Sequence, residues 1–271
     1  NIATNNNKIT NLAGSDNMIQ NAGDNVRWIL KEGESIGSFY GLKTDGLYTQ
    51  EEIDAGRYYI YGRHPKAGDL KYVPQREGVK YYCDLEKGEP EVNASITDDD
   101  RTIIGKDVPD FTYGINISLQ WKNWELSAFG QGVSGTNVGF ESEQVFAFML
   151  NSNPRKYHLQ RWNEENPNPN AAVPRLYGGT SLDEYNKHFS DNQLFDSDYF
   201  RIKTLSLGYM VPRNVVTKWG LSSLKFFLTG ENLFTLRADK IMKDFDPESS
   251  TGRGISALGT KSIAFGVNLS F

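Results

Sequence analysis

The last ten residues, SIAFGVNLSF (Ser262–Phe271), alternate strictly between large apolar and small or polar side chains. Successive side chains of a strand point to opposite faces. Ile263, Phe265, Val267, Leu269 and Phe271 therefore share one face, and Ser262, Ala264, Gly266, Asn268 and Ser270 share the other. Two environments suit such a strand. Either the apolar face is the core of a sandwich and the polar face meets water, or the apolar face meets lipid and the polar face lines a wet lumen. The pattern recurs in DFTYGINISLQW, where Phe111, Tyr113, Ile115, Ile117, Leu119 and Trp121 oppose Thr112, Gly114, Asn116, Ser118 and Gln120. Lys122 and Asn123 read as a tight turn into WELSAFGQGV, with Trp124, Leu126 and Ala128 opposed to Glu125, Ser127, Phe129 and Gln131. Tyr199–Val211 puts Leu205, Leu207 and Tyr209 in phase and stops at Pro212. RNVVTKWGL then reads as a short helical turn before SLKFFLTGENL, where Leu224, Phe226 and Leu228 oppose Lys225, Thr229 and Glu231. With Asn1–Thr10 and the final stretch this makes about six long strands, an all-β chain.

Composition fits this class without choosing the environment. The 26 glycines and 13% aromatic residues suit strands and turns, and a 38% hydrophobic content contains no run long enough for a membrane helix. That excludes helical spans only, because barrel strands alternate. A net charge of −5 with dispersed Lys and Arg offers no basic patch for nucleic acid. Cys83 is the sole cysteine, and His64, His158 and His188 are far apart, so neither an internal disulfide nor a zinc-ligand spacing is present. The chain starts at Asn1 with no leader pattern and reads as a portion of a longer protein.

The connections are unequal. Short turns follow Trp121 and Val211, whereas segments 13–109, 134–198 and 235–259 are long and rich in Gly, Pro, Asn and Asp. Outer-membrane barrels have short periplasmic turns and long extracellular loops, and a periplasmic C-terminus places all three long segments outside. Trp121, Trp124 and Trp219 then fall at the periplasmic strand ends, where an aromatic girdle is expected. Arg201 and Lys203 share the phase of Leu205 and are expected near the headgroups at the outer end.

Beyond pattern, a series of ordered blocks carries a resemblance. GESIGSFYGLKTDGLYTQEEI (Gly33–Ile53), DDDRTIIGKDVPDFTYGINISL (Asp98–Leu119), RWNEENPNPNAAVPRL (Arg161–Leu176), DSDYFRIKTLSLGYMVP (Asp196–Pro212) and LTGENLFTL (Leu228–Leu236), with DFDPES and the terminal Phe271, follow one another along nearly the whole chain. In content and order they resemble the C-terminal part of SusC/RagA-type TonB-dependent outer-membrane transporters. The resemblance implies a transmembrane antiparallel β-barrel of twenty-two strands around an N-terminal plug, of which residues 1–271 would supply roughly the last quarter. It implies a multi-pass protein of a Gram-negative outer membrane that imports oligosaccharides or peptides and is energised by TonB through an N-terminal part absent here. It also implies a SusD-like surface lipoprotein as lid, with pairing of transporter–lid units as a further assembly. A secreted carbohydrate-binding β-sandwich and a small autonomous barrel acting as an adhesin or anchor remain alternatives on pattern alone.

Family members often carry a calcium-loop-like acidic run before the DRTIIG block. Here the region reads CDLEKGEPEVNASITDDD, and Asp98, Asp99 and Asp100 lack alternating oxygen ligands around a central glycine, so a solvated acidic loop is expected. No catalytic, cofactor or metal residues emerge. Glu164/Glu165 and Asp183/Glu184 are adjacent pairs in polar loops, and GQGVSG at Gly130 ends a strand without opening a helix. Enzyme activity is not expected. Tyr157, Trp162, Tyr177 and Tyr185 are the candidate ligand or lid contacts, since exposed aromatics stack on sugars or pack on peptide side chains. Packing of the loop on itself or on the lid is the alternative.

Overall fold

The computed structural model describes residues 1–21, 26–56, 64–77, 83–84, 89–90, 96–141, 145–149, 152–177, 185–239, 241–249, 251–252 and 259–271. Its main element is a six-stranded antiparallel sheet. The strands are β1 (Ile2–Thr4), β2 (Phe111–Trp121), β3 (Trp124–Ser134), β4 (Tyr199–Met210), β5 (Ser223–Arg237) and β6 (Ser262–Ser270), each paired with the next in sequence order. Lys122 adopts a left-handed φ of 53° in the two-residue turn that closes the β2–β3 hairpin. Pro212 ends β4, and Arg213–Val216 and Thr217–Trp219 form the expected helical turns. Gly220, at φ 72°, supplies the left-handed residue that releases the chain into β5.

The register turns the alternation of each strand into rows across the sheet. Leu119, Leu126, Leu207, Leu228 and Phe265 form one apolar row, and Trp121, Trp124, Tyr209, Phe226 and Val267 form the next. Gly130 and Gly132 leave room on this face. A Cβ at Gly130 would lie 2.6 Å from the Phe200 ring and one at Gly132 2.5 Å from the Tyr113 ring, and those rings stack across the strand at 6.1 Å. The reverse face carries Ser118, Ser127, Ser206 and Thr229 in register.

Two expectations are corrected here. The first strand spans only Ile2–Thr4 rather than Asn1–Thr10. Asn7 Oδ1 accepts from Ser35 Oγ and the Ile36 N–H, and the Ile9 N–H donates to the Glu34 carbonyl, so local polar bonds draw the chain off the ladder. The second concerns Arg201 and Lys203. A bulge at Lys203 makes Gly130 face Ile202 and Gln131 face Arg201. Ile202 therefore joins the apolar face, Arg201 joins the polar one, and neither cation sits among the apolar rows. A matching bulge in β5 at Asn232, φ 51°, keeps Phe234 and Leu236 on the apolar face. No Asp, Glu, Lys or Arg remains on that face in any of the six strands.

By antiparallel alternation the three long connections leave from one end of the sheet and the two short turns lie at the other. The long segments fold together. Asn17–Asn21, Arg27–Lys31, Ser38–Gly41 and Thr102–Lys106 make a four-stranded sheet, with smaller pairs Lys43–Leu47/Leu70–Val73 and Asn137–Gly139/Leu194–Asp196. One core holds Leu42, Tyr48, Leu70, Tyr72 and Ile96 with Trp162 and Tyr185, joining the first long segment to the second. Another holds Val138, Phe140, Tyr157, Val173 and Phe195 with Phe245, joining the second to the third. The buried side chains of the protein lie mostly in this loop body, while the sheet keeps large apolar groups exposed.

Candidate functional site

The site begins where the polar face of the sheet meets the loop body. Arg201 is 4% exposed, and its guanidinium reaches Asp246 at 2.8 Å, Glu248 at 3.1 Å and Thr235 Oγ1 at 3.0 Å. Lys203 Nζ lies 2.6 Å from Glu248, and the Tyr199 hydroxyl donates to the same carboxylate at 2.8 Å. Asp246 also accepts from the Glu248 and Gly259 N–H groups. Burial alone would raise both carboxyls. The bonds from Arg201 to Asp246 and from Lys203 and Tyr199 to Glu248, helped by those cations' charges, outweigh it and hold both below the ordinary carboxylate range. The DFDPES block is thus the third segment's latch onto β4. Sequence reasoning missed this role, although two cations inside an otherwise apolar strand and an acidic block further on were its visible signals.

Away from the rim the polar face is a hollow of about 560 Å3. Lys225 pairs with Glu125 there, and the Ser206 and Thr229 hydroxyls bond at 3.0 Å. This face is polar and open, with its charges paired, in contrast to its reverse.

The loop body positions the four candidate aromatics. Trp162 is buried over Gly68, whose φ of 88° and missing Cβ admit the ring: a Cβ would come within 2.3 Å of it. The Arg175 guanidinium lies 4.4 Å from the Trp162 ring centre. Tyr185 is buried against Tyr72, whose hydroxyl donates to the Tyr185 carbonyl at 2.7 Å. Tyr157 is buried and donates to the Val145 carbonyl at 2.8 Å. These three rings pack within the cores of the loop body, and Tyr157 and Trp162 also line pockets there. Tyr177 is half-buried and donates to Asp69, which also accepts from Asn186 Nδ2 at 2.9 Å and the Lys66 N–H at 2.7 Å. Burial nevertheless pushes the Asp69 carboxyl up. His158 Nδ1 accepts from the Arg155 N–H and Nε2 donates to the Val145 carbonyl, while burial lowers its pKa, so the ring is held as the neutral tautomer.

In the acidic cluster Asp98 and Asp99 are exposed, as expected of a solvated loop, and Asp100 is the exception. Asp100 is fully buried, takes bonds from Arg76 at 2.8 and 3.2 Å, and caps the turn through the Thr97 N–H; Asp98 bonds Arg27 and Arg101. Arginines therefore neutralise this cluster. Among the described residues no group of His, Cys, Asp and Glu has a metal-holding arrangement. Asp183 and Glu184, and part of the stretch before Asp98, lie outside the described residues.

No family model matches the chain. TonB-dependent receptor P3 of Formosa agariphila is 27% identical over 287 residues, covering 100% of this chain and 26% of that protein. TonB-dependent receptor P26 of the same organism is 29% identical over 277 residues, covering 98% of this chain and 24% of that protein. Among solved structures, the RagAB peptide transporter matches at TM-score 0.67 and 21% identity over 100% of this chain and 26% of its own. The RagAB peptide importer in its open-open state matches at TM-score 0.64 and 20% identity over 97% of this chain and 25% of its own. By sequence the chain is similar to TonB-dependent receptors, and by fold to the RagAB transporter. It spans about a quarter of the length of these relatives.

Proposed function

We propose that these residues form wall strands and outer loops of a TonB-dependent importer in a Gram-negative outer membrane. The carrying observation is the uncharged apolar face, six strands wide, on which Ile263 is 73% and Phe265 68% exposed. In water so large a patch is an aggregation hazard, whereas in a bilayer it is satisfied. A carbohydrate-binding sandwich would need a second sheet across that face, and among the described residues none of the smaller sheets lies there. The relatives' name, TonB-dependent receptor, supports the energy source.

In this reading the sheet belongs to a closed barrel of about twenty-two strands, with the plug and the TonB contact supplied outside these residues. The short turns and the C-terminus face the periplasm, and the loop body faces the exterior, where a SusD-like lipoprotein caps it. Peptides are the first candidate cargo, supported by the solved neighbours' description as peptide importers, and oligosaccharides are the second. Binding and a change of conformation suffice for such import, without covalent chemistry. Protease added to intact cells tests the orientation. Residues 164–170 are exposed and contain Pro167 and Pro169, so cleavage there is expected before lysis. Cleavage only after lysis would overturn the outward placement of the loop body.

A further inference from the structure

A cavity of about 50 Å3 opens in the loop body between the second and third long segments. Tyr157, Val173, Phe195 and Gln193 form its buried floor, while exposed Ala172 and half-buried Leu176 stand at its mouth. Most of its lining is apolar, with Arg175, Tyr177, Asn186, Lys187, Asn192 and Gln193 contributing the polar part. The Gln193 side chain is 1% exposed, and its Nε2 is used fully, donating to the Asn186 and His188 carbonyls at 3.3 and 3.2 Å. Its Oε1 is buried without a hydrogen-bond partner. Native proteins leave few such acceptors unpaired, because a stranded buried carbonyl costs about 1–3 kcal/mol.

Water is the competing occupant, and it needs two to four polar partners, whereas most of the lining is carbon. The apolar end, by contrast, suits carbon. We propose that this cavity is a binding subsite for a small amphiphilic group: a short aliphatic chain, entering past Ala172, that ends in a hydroxyl or amide donor bonded to Gln193 Oε1. The inference concerns the pocket itself and stands apart from the transport reading.

Crystals of the intact, detergent-purified protein soaked in 2-propanol test it. The alcohol is expected in the cavity with its oxygen about 3 Å from Gln193 Oε1 and its methyl groups against Val173 and Phe195. Gln193→Met keeps the length and removes the acceptor, and should lower occupancy at least several-fold. Because that change also removes the two Nε2 bonds, Ala172→Phe serves as a second variant: it alters an exposed residue, keeps the fold and should block entry. An empty apolar end with water alone on Gln193, or unchanged occupancy in Ala172→Phe, would overturn the proposal.

Discussion

Val267 and Asn268 are adjacent in β6 and point to opposite sides of the sheet, Val267 into the row of Phe226 and Asn268 beside Lys225. Under the proposed lipid contact, Val267→Arg places a charge near the hydrocarbon middle and should destabilise the sheet by roughly 2–4 kcal/mol. Asn268→Arg projects toward the wet face and should be milder. Val267→Phe should be accepted, because lipid adapts to size where a packed core resists it. Folded fractions read by heat modifiability in membranes check all three. Damage from Val267→Phe as large as that from Val267→Arg would mark a protein core.

At the level of elements, the latch between β4 and the DFDPES turn has a defined pH response. Asp246 and Glu248 titrate below their ordinary values of 3.8 and 4.5, so their contribution to docking is present above those values. It is lost as pH falls through the lowered folded values. Hydrogen exchange at the Gly259 N–H, bonded to Asp246, should accelerate relative to the β5 ladder as pH drops below about 3.8. In Asp246→Asn that pH dependence should flatten; an identical profile in both proteins would remove the latch. The same element marks a limit of sequence reading. Strands β2, β3 and β6, and β5 as far as its bulge at Asn232, were legible because their apolar and polar residues alternate. The bulge at Lys203 was not, because an extra residue inverts phase with no local signature, so strict period-two counting put Arg201 on the wrong face. β1 was overread for a related reason: Asn5–Asn7 continue a polar stretch whose bonding partners, near Ser35, are distant in sequence.

At the scale of the whole molecule, the chain divides into a sheet that keeps its apolar groups outside and a loop body that keeps them inside. The first half of that division was legible in the sequence, and the resemblance to SusC/RagA-type receptors followed from ordered blocks. The loop body was not, because its cores draw residues such as Tyr48, Trp162 and Tyr185 from separate segments with no periodicity linking them. Trp162, Tyr185 and Tyr157, three of the four candidate contact residues, belong to those cores. The central claim, that the outer face of the six-stranded sheet meets lipid, can be measured directly. Single cysteines at Ala264, Phe265, Val267 and Asn268, in a Cys83→Ser background, are labelled with a fluorophore in native-like membranes and exposed to a nitroxide confined to the acyl chains. Strong quenching at 265 and 267 with weak quenching at 264 and 268 is the predicted result. Equal quenching in both phases, or none at 265 and 267, would contradict it.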